Sequence, residues 1–329
     1  MTYVWIGFFV LVTALLALDL GVLNRSHHVI GFKEASRWTA LWITIGVSFG
    51  GVVYLIFENH WFGISLAHQS PLVSDGVEAL TLYITGYLLE KSLSIDNIFV
   101  IALVFERFGV ARQYRHRVLF WGILGALLMR GVMIFGGIWL IERFDWIFYF
   151  FGAWLIWQGI SSVRGGDDDE VDPEKGLVFR LASRVMPMRG GDHHGKFVTR
   201  EGGFAFTTLA LCLVVIEWTD VAFALDSVPA VLAVTTEPFL VFTSNIFAIL
   251  GLRSLYFMLD GMMAEFEVLA YALAAILVFI GLKMILHNFV HVPNLVSLGV
   301  IAGILVLAIV GERLIRSRKP KSEGQEQGD

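Results

Sequence analysis

The chain has 329 residues, of which 57% are hydrophobic and only 16% charged, and its mean hydropathy is +0.72. A soluble domain carries about 25% charged residues, so a fold of this length in water would lack the polar side chains to cover its apolar surface. A bilayer accommodates such a chain and asks for apolar runs of roughly 20 residues. The net charge of -5 says little by itself, and the single cysteine, Cys212, excludes a disulfide framework and a thiolate metal cluster.

In chain order, about nine apolar runs reach spanning length. They fall near Tyr3–Leu23, Thr39–Phe57, Ala79–Phe105, Val118–Leu140, Trp146–Val163, Phe204–Val234, Phe239–Leu259, Val268–Leu286 and Leu295–Ile315. The first lacks the basic leader and small-residue cleavage site of a signal peptide and reads as a retained span. The expected organisation is a two-span segment (1–77), a three-helix unit (78–163), a soluble loop (164–203), a second three-helix unit (204–287), a last span (288–315) and a tail (316–329). Within the loop, His193 and His194 beside Asp192 read as a solvated stretch.

Lysine and arginine cluster in alternate connections. Arg25, Lys33 and Arg37 follow the first span, and Arg107, Arg112, Arg115 and Arg117 follow the third. Seven more lie between Arg164 and Arg200, and the tail holds Arg316, Arg318, Lys319 and Lys321. The opposite connections hold essentially Arg143 alone. The expected N-terminus is therefore outside and the C-terminus cytoplasmic, which requires an odd number of spans.

The third span contains Glu90-Lys-Ser-Leu-Ser-Ile-Asp96-Asn97 and the sixth contains Asp220-Val-Ala-Phe-Ala-Leu-Asp226-Ser227. Both read as an acid, five residues, an aspartate, then a small polar residue. The following spans match as Ile123-Leu-Gly…Arg130 and Ile249-Leu-Gly-Leu-Arg253. A repeat of three spans inserts its second copy upside down, so spans 3–5 and 6–8 are expected to form an inverted repeat. The fold class is thus all-α integral membrane.

Acids inside spans are costly, roughly 2.5–3.5 kcal/mol each on insertion scales, and mark ion or proton paths. Here they are Glu90, Asp96, Glu217, Asp220 and Asp226. The competing account pairs them with Lys91, Arg130, Arg253 and Lys283. Glu90 and Asp96 lie about 9 Å apart along a helix and about 120° apart around it, so they do not share one ion on a straight helix. A row of carboxylates across the repeat interface is expected instead, with Pro229 favouring a break beside Asp226. Carboxylate, amide and hydroxyl oxygens suit hard divalent cations such as manganese, magnesium or calcium. Asn97, Ser227 and Asn245 supply neutral oxygens nearby. No nucleotide or nucleophile motif occurs, so no enzymatic centre, no prosthetic group and no nucleic acid partner are expected.

The stretches Tyr87-Leu-Leu-Glu90-Lys-Ser-Leu-Ser-Ile-Asp96-Asn97 and Glu217-Trp-Thr-Asp220-Val-Ala-Phe-Ala-Leu-Asp226-Ser-Val-Pro229 resemble the signature of the TerC family. Ser244-Asn245-Ile-Phe-Ala-Ile-Leu-Gly-Leu-Arg253 resembles its Alx branch. The resemblance implies a bacterial inner-membrane protein tied to manganese export, tellurium resistance and alkaline induction. The expected function is export of Mn2+ as transported substrate, through Glu90, Asp96, Asp220 and Asp226 with Asn97, Glu217, Ser227 and Asn245 assisting, by a monomer or homodimer. Rival readings are a small-solute or amino-acid exporter, a non-transporting partner in metal supply or tellurium resistance, and a membrane redox enzyme, for which the sequence offers no cofactor ligands.

Overall fold

A computed structural model describes residues 2–23, 31–61, 73, 75–144, 146–164, 188–189, 196–199, 205–259, 267–290 and 292–318. Among the described residues, helices α1 (Thr2–Leu23), α2 (Phe32–Glu58), α3 (Gly76–Arg107), α4 (Arg112–Arg143) and α5 (Trp146–Arg164) precede a small sheet. The sheet has strands β1 (Met188–Arg189), β2 (Val198–Thr199) and β3 (Ala205–Thr207). Then come α6 (Thr208–Leu232), α7 (Pro238–Ile249), α8 (Leu252–Leu259), α9 (Glu267–Ile285) and α10 (Asn294–Arg318). Among the described residues, eight segments are long and apolar enough to cross a membrane, with α7 and α8 together forming one of them. The expected all-α integral membrane class is what the structure shows.

The span outside that count is α3. It has 32 residues but carries Glu78, Glu90, Lys91 and Asp96. Its position explains the tolerance: α3 packs against α2, α6, α7, α8, α9 and α10, so neighbouring helices rather than lipid surround its polar residues. Glu90 and its charged neighbours on α3 therefore sit on an element enclosed by other helices, as bilayer energetics demand.

The heaviest helix pairings are α3 with α7, α4 with α6, and α5 with α9. Exchanging α3 with α6, α4 with α7, and α5 with α9 turns the first pairing into the second and leaves the third unchanged. That is the pattern of a two-fold relation between two three-span units. The contacts also give directions. A Cβ at Gly86 would touch both Ser244 and Val231, and Lys91 reaches the Ala248 carbonyl, so α3 runs with α7. Glu90 and Ser227 share Arg130 while Gly86 meets Val231, so α3 runs against α6. The two motif helices are antiparallel, as an inverted repeat requires.

The two units differ at their second span. In the first it is the unbroken α4. In the second, the expected run Phe239–Leu259 breaks between α7 and α8, where Gly251 has φ +83 with the Trp42 side chain against it. Only glycine takes that conformation at low cost, and a Cβ there would overlap Trp42. Lys91 Nζ donates to the Ala248 carbonyl at 3.1 Å, placing a cation at the negative end of α7.

Two further details depart from expectation. The helix α6 continues through Pro229 and ends three residues later at Leu232, so Asp226 lies within regular helix. Proline this close to a C-terminus forfeits one ladder bond, to the Leu225 carbonyl, and neighbouring helices make that tolerable. The sixth span starts at Thr208 rather than Phe204, because Ala205–Thr207 forms β3, parallel to β1 and antiparallel to β2. Thr207 then caps α6 by accepting from Ala210 N at 3.4 Å. Strands of two or three residues have no periodicity to read. His193 and His194, and the end of the tail, lie outside the described residues.

Candidate functional site

The residues of the two motifs meet at one buried cation. Arg130 projects from α4 between α3 and α6 and is fully buried. Its Nη1 donates to Glu90 Oε1 and, at 3.3 Å, to Ser227 Oγ. Its Nη2 donates to Asp220 Oδ1 at 3.2 Å, and Nε donates to Asp220 Oδ2 at 3.5 Å. The guanidinium thus holds Asp220 in the two-pronged geometry that suits a carboxylate, and ties it to Glu90 of the other unit. Ser94, one turn beyond Glu90, donates to Glu90 Oε1 at 3.4 Å.

This cluster is asymmetric in exposure and in satisfaction. Glu90 is sealed, whereas the Asp220 side chain is 16% exposed. Glu90 Oε2 is buried without a partner among the described residues. A buried carboxylate oxygen without a donor costs about 1–3 kcal/mol or more, so the site retains unused acceptor capacity where the two units meet. With two carboxylates and one guanidinium, its formal charge is negative.

The remaining expected site residues lie around it. Asn97 is buried on α3, seven residues after Glu90, which is two turns along the same helix face. Glu217 precedes Asp220 by one turn of α6, and its carboxylate lies against Gly125 of α4, where any Cβ would overlap it. Asp226 faces α5 and accepts from Trp154 Nε1 at 2.9 Å. Asn245 is buried on α7, where its Nδ2 donates to the Val241 carbonyl at 3.0 Å. Its Oδ1 has no partner among the described residues. The Asp96 side chain lies outside the described residues. Among the described residues no three acidic, histidine or cysteine side chains converge as a metal cage. The carboxylates instead line the interface, with Arg130 occupying the place where Glu90 and Asp220 meet.

Three features were not assigned from sequence. Arg130 was weighed only as a counter-charge and is the centre of the cluster. Trp154, one indole among several in the spans, is a donor to Asp226. Asp19 of α1 lies 3.6 Å from Arg253 Nε, and its backbone carbonyl accepts from Arg253 Nη2 at 3.0 Å. The aligned arginines of the two units therefore have unlike partners. A lone acid and a lone cation on different spans carry the signal for such a tie, since each is too costly in lipid to stay single.

A family model described as "Integral membrane protein TerC family" matches residues 75–320, from the start of α3 past the end of α10. The chain is 46% identical over 315 residues to "Uncharacterized membrane protein STKORF319" of Myxococcus xanthus, covering 95% of this chain and 92% of that relative. It is 41% identical over 321 residues to "Putative membrane-bound redox modulator Alx" of Escherichia coli K12, covering 97% of each. A Rickettsia bellii "Uncharacterized membrane protein" is 37% identical over 308 residues, 93% of this chain and 95% of its own. No solved structure matches.

Proposed function

The chain belongs to the TerC family of integral membrane proteins, and from that footing we propose that it is a secondary transporter exporting Mn2+ from the cytoplasm through the acidic residues of α3 and α6. The observation that carries the reading is the meeting of Glu90 and Asp220, one from each antiparallel motif helix, at the interface of the two units. A site between inverted repeats is exposed to one side or the other when the units rock, which is how such transporters alternate access. Its donors are hard oxygens, from Glu90, Asp220 and Ser227 at the centre and Asn97 on the same face of α3 as Glu90, and these suit a hard divalent ion. Glu217 lies a turn from Asp220 on one side, and Asp226 further along α6 on the other. Asp96 and Asn245 complete the proposed ligand set. The same carboxylates offer proton exchange as the counter-flow.

The proposed orientation keeps the N-terminus outside and the C-terminus in the cytoplasm of a bacterial inner membrane, with a monomer or homodimer as the working unit. The redox role in the relatives' name finds no intramolecular thiol pair here, since Cys212 is the single cysteine. The test is cellular manganese in a strain deleted for this chain and complemented with wild type, Asp96→Asn or Asp226→Asn. Wild type lowers accumulated manganese and the variants do not. Variants that reach the membrane and lower manganese as well as wild type would remove the ligand assignment.

A further inference from the structure

Three of the four carboxylate oxygens of Glu90 and Asp220 are already taken by Arg130. A divalent ion such as Mn2+ needs about six oxygen ligands and cannot share them with a guanidinium wedged between the same two acids. The free oxygen, Glu90 Oε2, is a single buried acceptor. Cation and guanidinium are therefore alternative occupants of one place.

We propose that Arg130 is a tethered internal counter-ion, which the transported cation displaces from the Glu90–Asp220 pair on binding and which reoccupies the pair on release. The proposal rests on the cation-export reading and deepens it. The guanidinium stays charged throughout, so it needs a second acceptor when displaced. Glu217 provides one. It lies on the helix of Asp220, one turn away, with its carboxylate against Gly125 of the helix that carries Arg130. It makes no hydrogen bond with a described side chain. Movement of the guanidinium from Asp220 to Glu217 opens the pair to the ion without leaving a bare cation in the membrane. The empty transporter in turn never presents two unpaired buried carboxylates, which would oppose its rocking back through the low-dielectric interface.

The energetic signature is competition. If the guanidinium holds the pair in nine molecules of ten, the apparent affinity for the ion is reduced about tenfold. Binding of MnCl2 to the purified full-length chain in detergent, by titration calorimetry, reads this. Arg130→Ala should bind Mn2+ about tenfold more tightly than wild type. Millimolar guanidinium chloride should weaken that binding back toward the wild-type value while leaving wild type unchanged. Arg130→Lys keeps one charge but loses the two-pronged grip, and should fall between the two. It also serves where Arg130→Ala does not fold. Affinity that is equal to or weaker than wild type in a folded Arg130 variant overturns the proposal. Glu90→Gln and Asp220→Asn separate its failure from that of the parent reading. If both retain wild-type affinity, the site itself is wrong. If both lose binding while Arg130 variants gain none, the site stands and displacement falls.

Discussion

Neutralising a carboxylate at a buried ion pair ordinarily destabilises, by about 3–5 kcal/mol when the partner charge is left alone. The Glu90–Arg130–Asp220 cluster predicts a different pattern. With both acids ionised its formal charge is -1, so Glu90→Gln leaves Asp220 and Arg130 as a neutral pair, still joined by the contacts of 3.2 and 3.5 Å. Asp220→Asn likewise leaves Glu90 with Arg130. Each single change trades one charge-assisted hydrogen bond, worth about 1.5–3 kcal/mol, against removal of surplus negative charge, and the two largely cancel. Each should lie within about 1 kcal/mol of wild type, or about 2 °C in Tm for a chain of this size. The double change strands Arg130, which is fully buried, and should cost about 3–5 kcal/mol, lowering Tm by about 6–10 °C. Thermal unfolding of the four proteins in one detergent, scanned at one rate, measures this. Additivity, with the double variant equal to the sum of two small effects, would show that Arg130 does not depend on either acid and would refute the cluster. The singles should also lose Mn2+ binding while keeping their stability, which separates ligand from scaffold.

Other contacts make sharper or simpler demands. Gly125→Ala places a methyl group where the Glu217 carboxylate lies, so it should lower manganese export several-fold with Tm nearly unchanged, and vesicle uptake alongside melting reads both. Arg253→Met strands Asp19, which is 9% exposed, and should cost about 3–5 kcal/mol. Asp19→Asn should cost less, because the Asp19 carbonyl still accepts from Arg253, and equal Tm losses would contradict that ordering. Gly251→Ala imposes a left-handed conformation worth about 1–2 kcal/mol in addition to overlap with Trp42, and should lower Tm by more than that strain alone.

The spans were legible because bilayer thickness imposes a length that composition reveals directly. The antiparallel relation of α3 and α6 was legible too, since it follows from an odd number of spans per repeat. The partnership at Arg130 was only half legible. Its charge stood out inside an apolar run, but the choice between Glu90, Asp220 and the other acids depends on helix rotation, which sequence spacing leaves open. The break in the second unit was hidden for a related reason. An apolar run reads alike whether straight or broken, and Gly251 resembles any packing glycine until its φ is known. Trp154 was missed because an indole in a span is usually an interfacial anchor, and its N–H finds an acid only when α5 lies beside α6.

Each intramembrane cation has its own partner, which counts against the rival account in which the acids are structural. Arg253 is held by Asp19. Lys91 sits on the Ala248 carbonyl, and Lys283 lies 3.5 Å from Asn294 Oδ1, so neither binds a motif acid through its ammonium group in these contacts. Among the described residues, Arg130 is the cation in direct contact with the motif acids, and it serves two of them at once. Glu217 rests against a glycine, and Asp226 is met by a neutral indole. A purely structural arrangement would match acid to cation in number and direct every cation at the motifs. Instead the described cations are spent largely elsewhere, and the negative surplus collects on α6 and at Glu90, at the interface of the two units. Surplus carboxylate in a low-dielectric interior is tolerable where a mobile cation or proton completes it, which is the property a cation pathway needs.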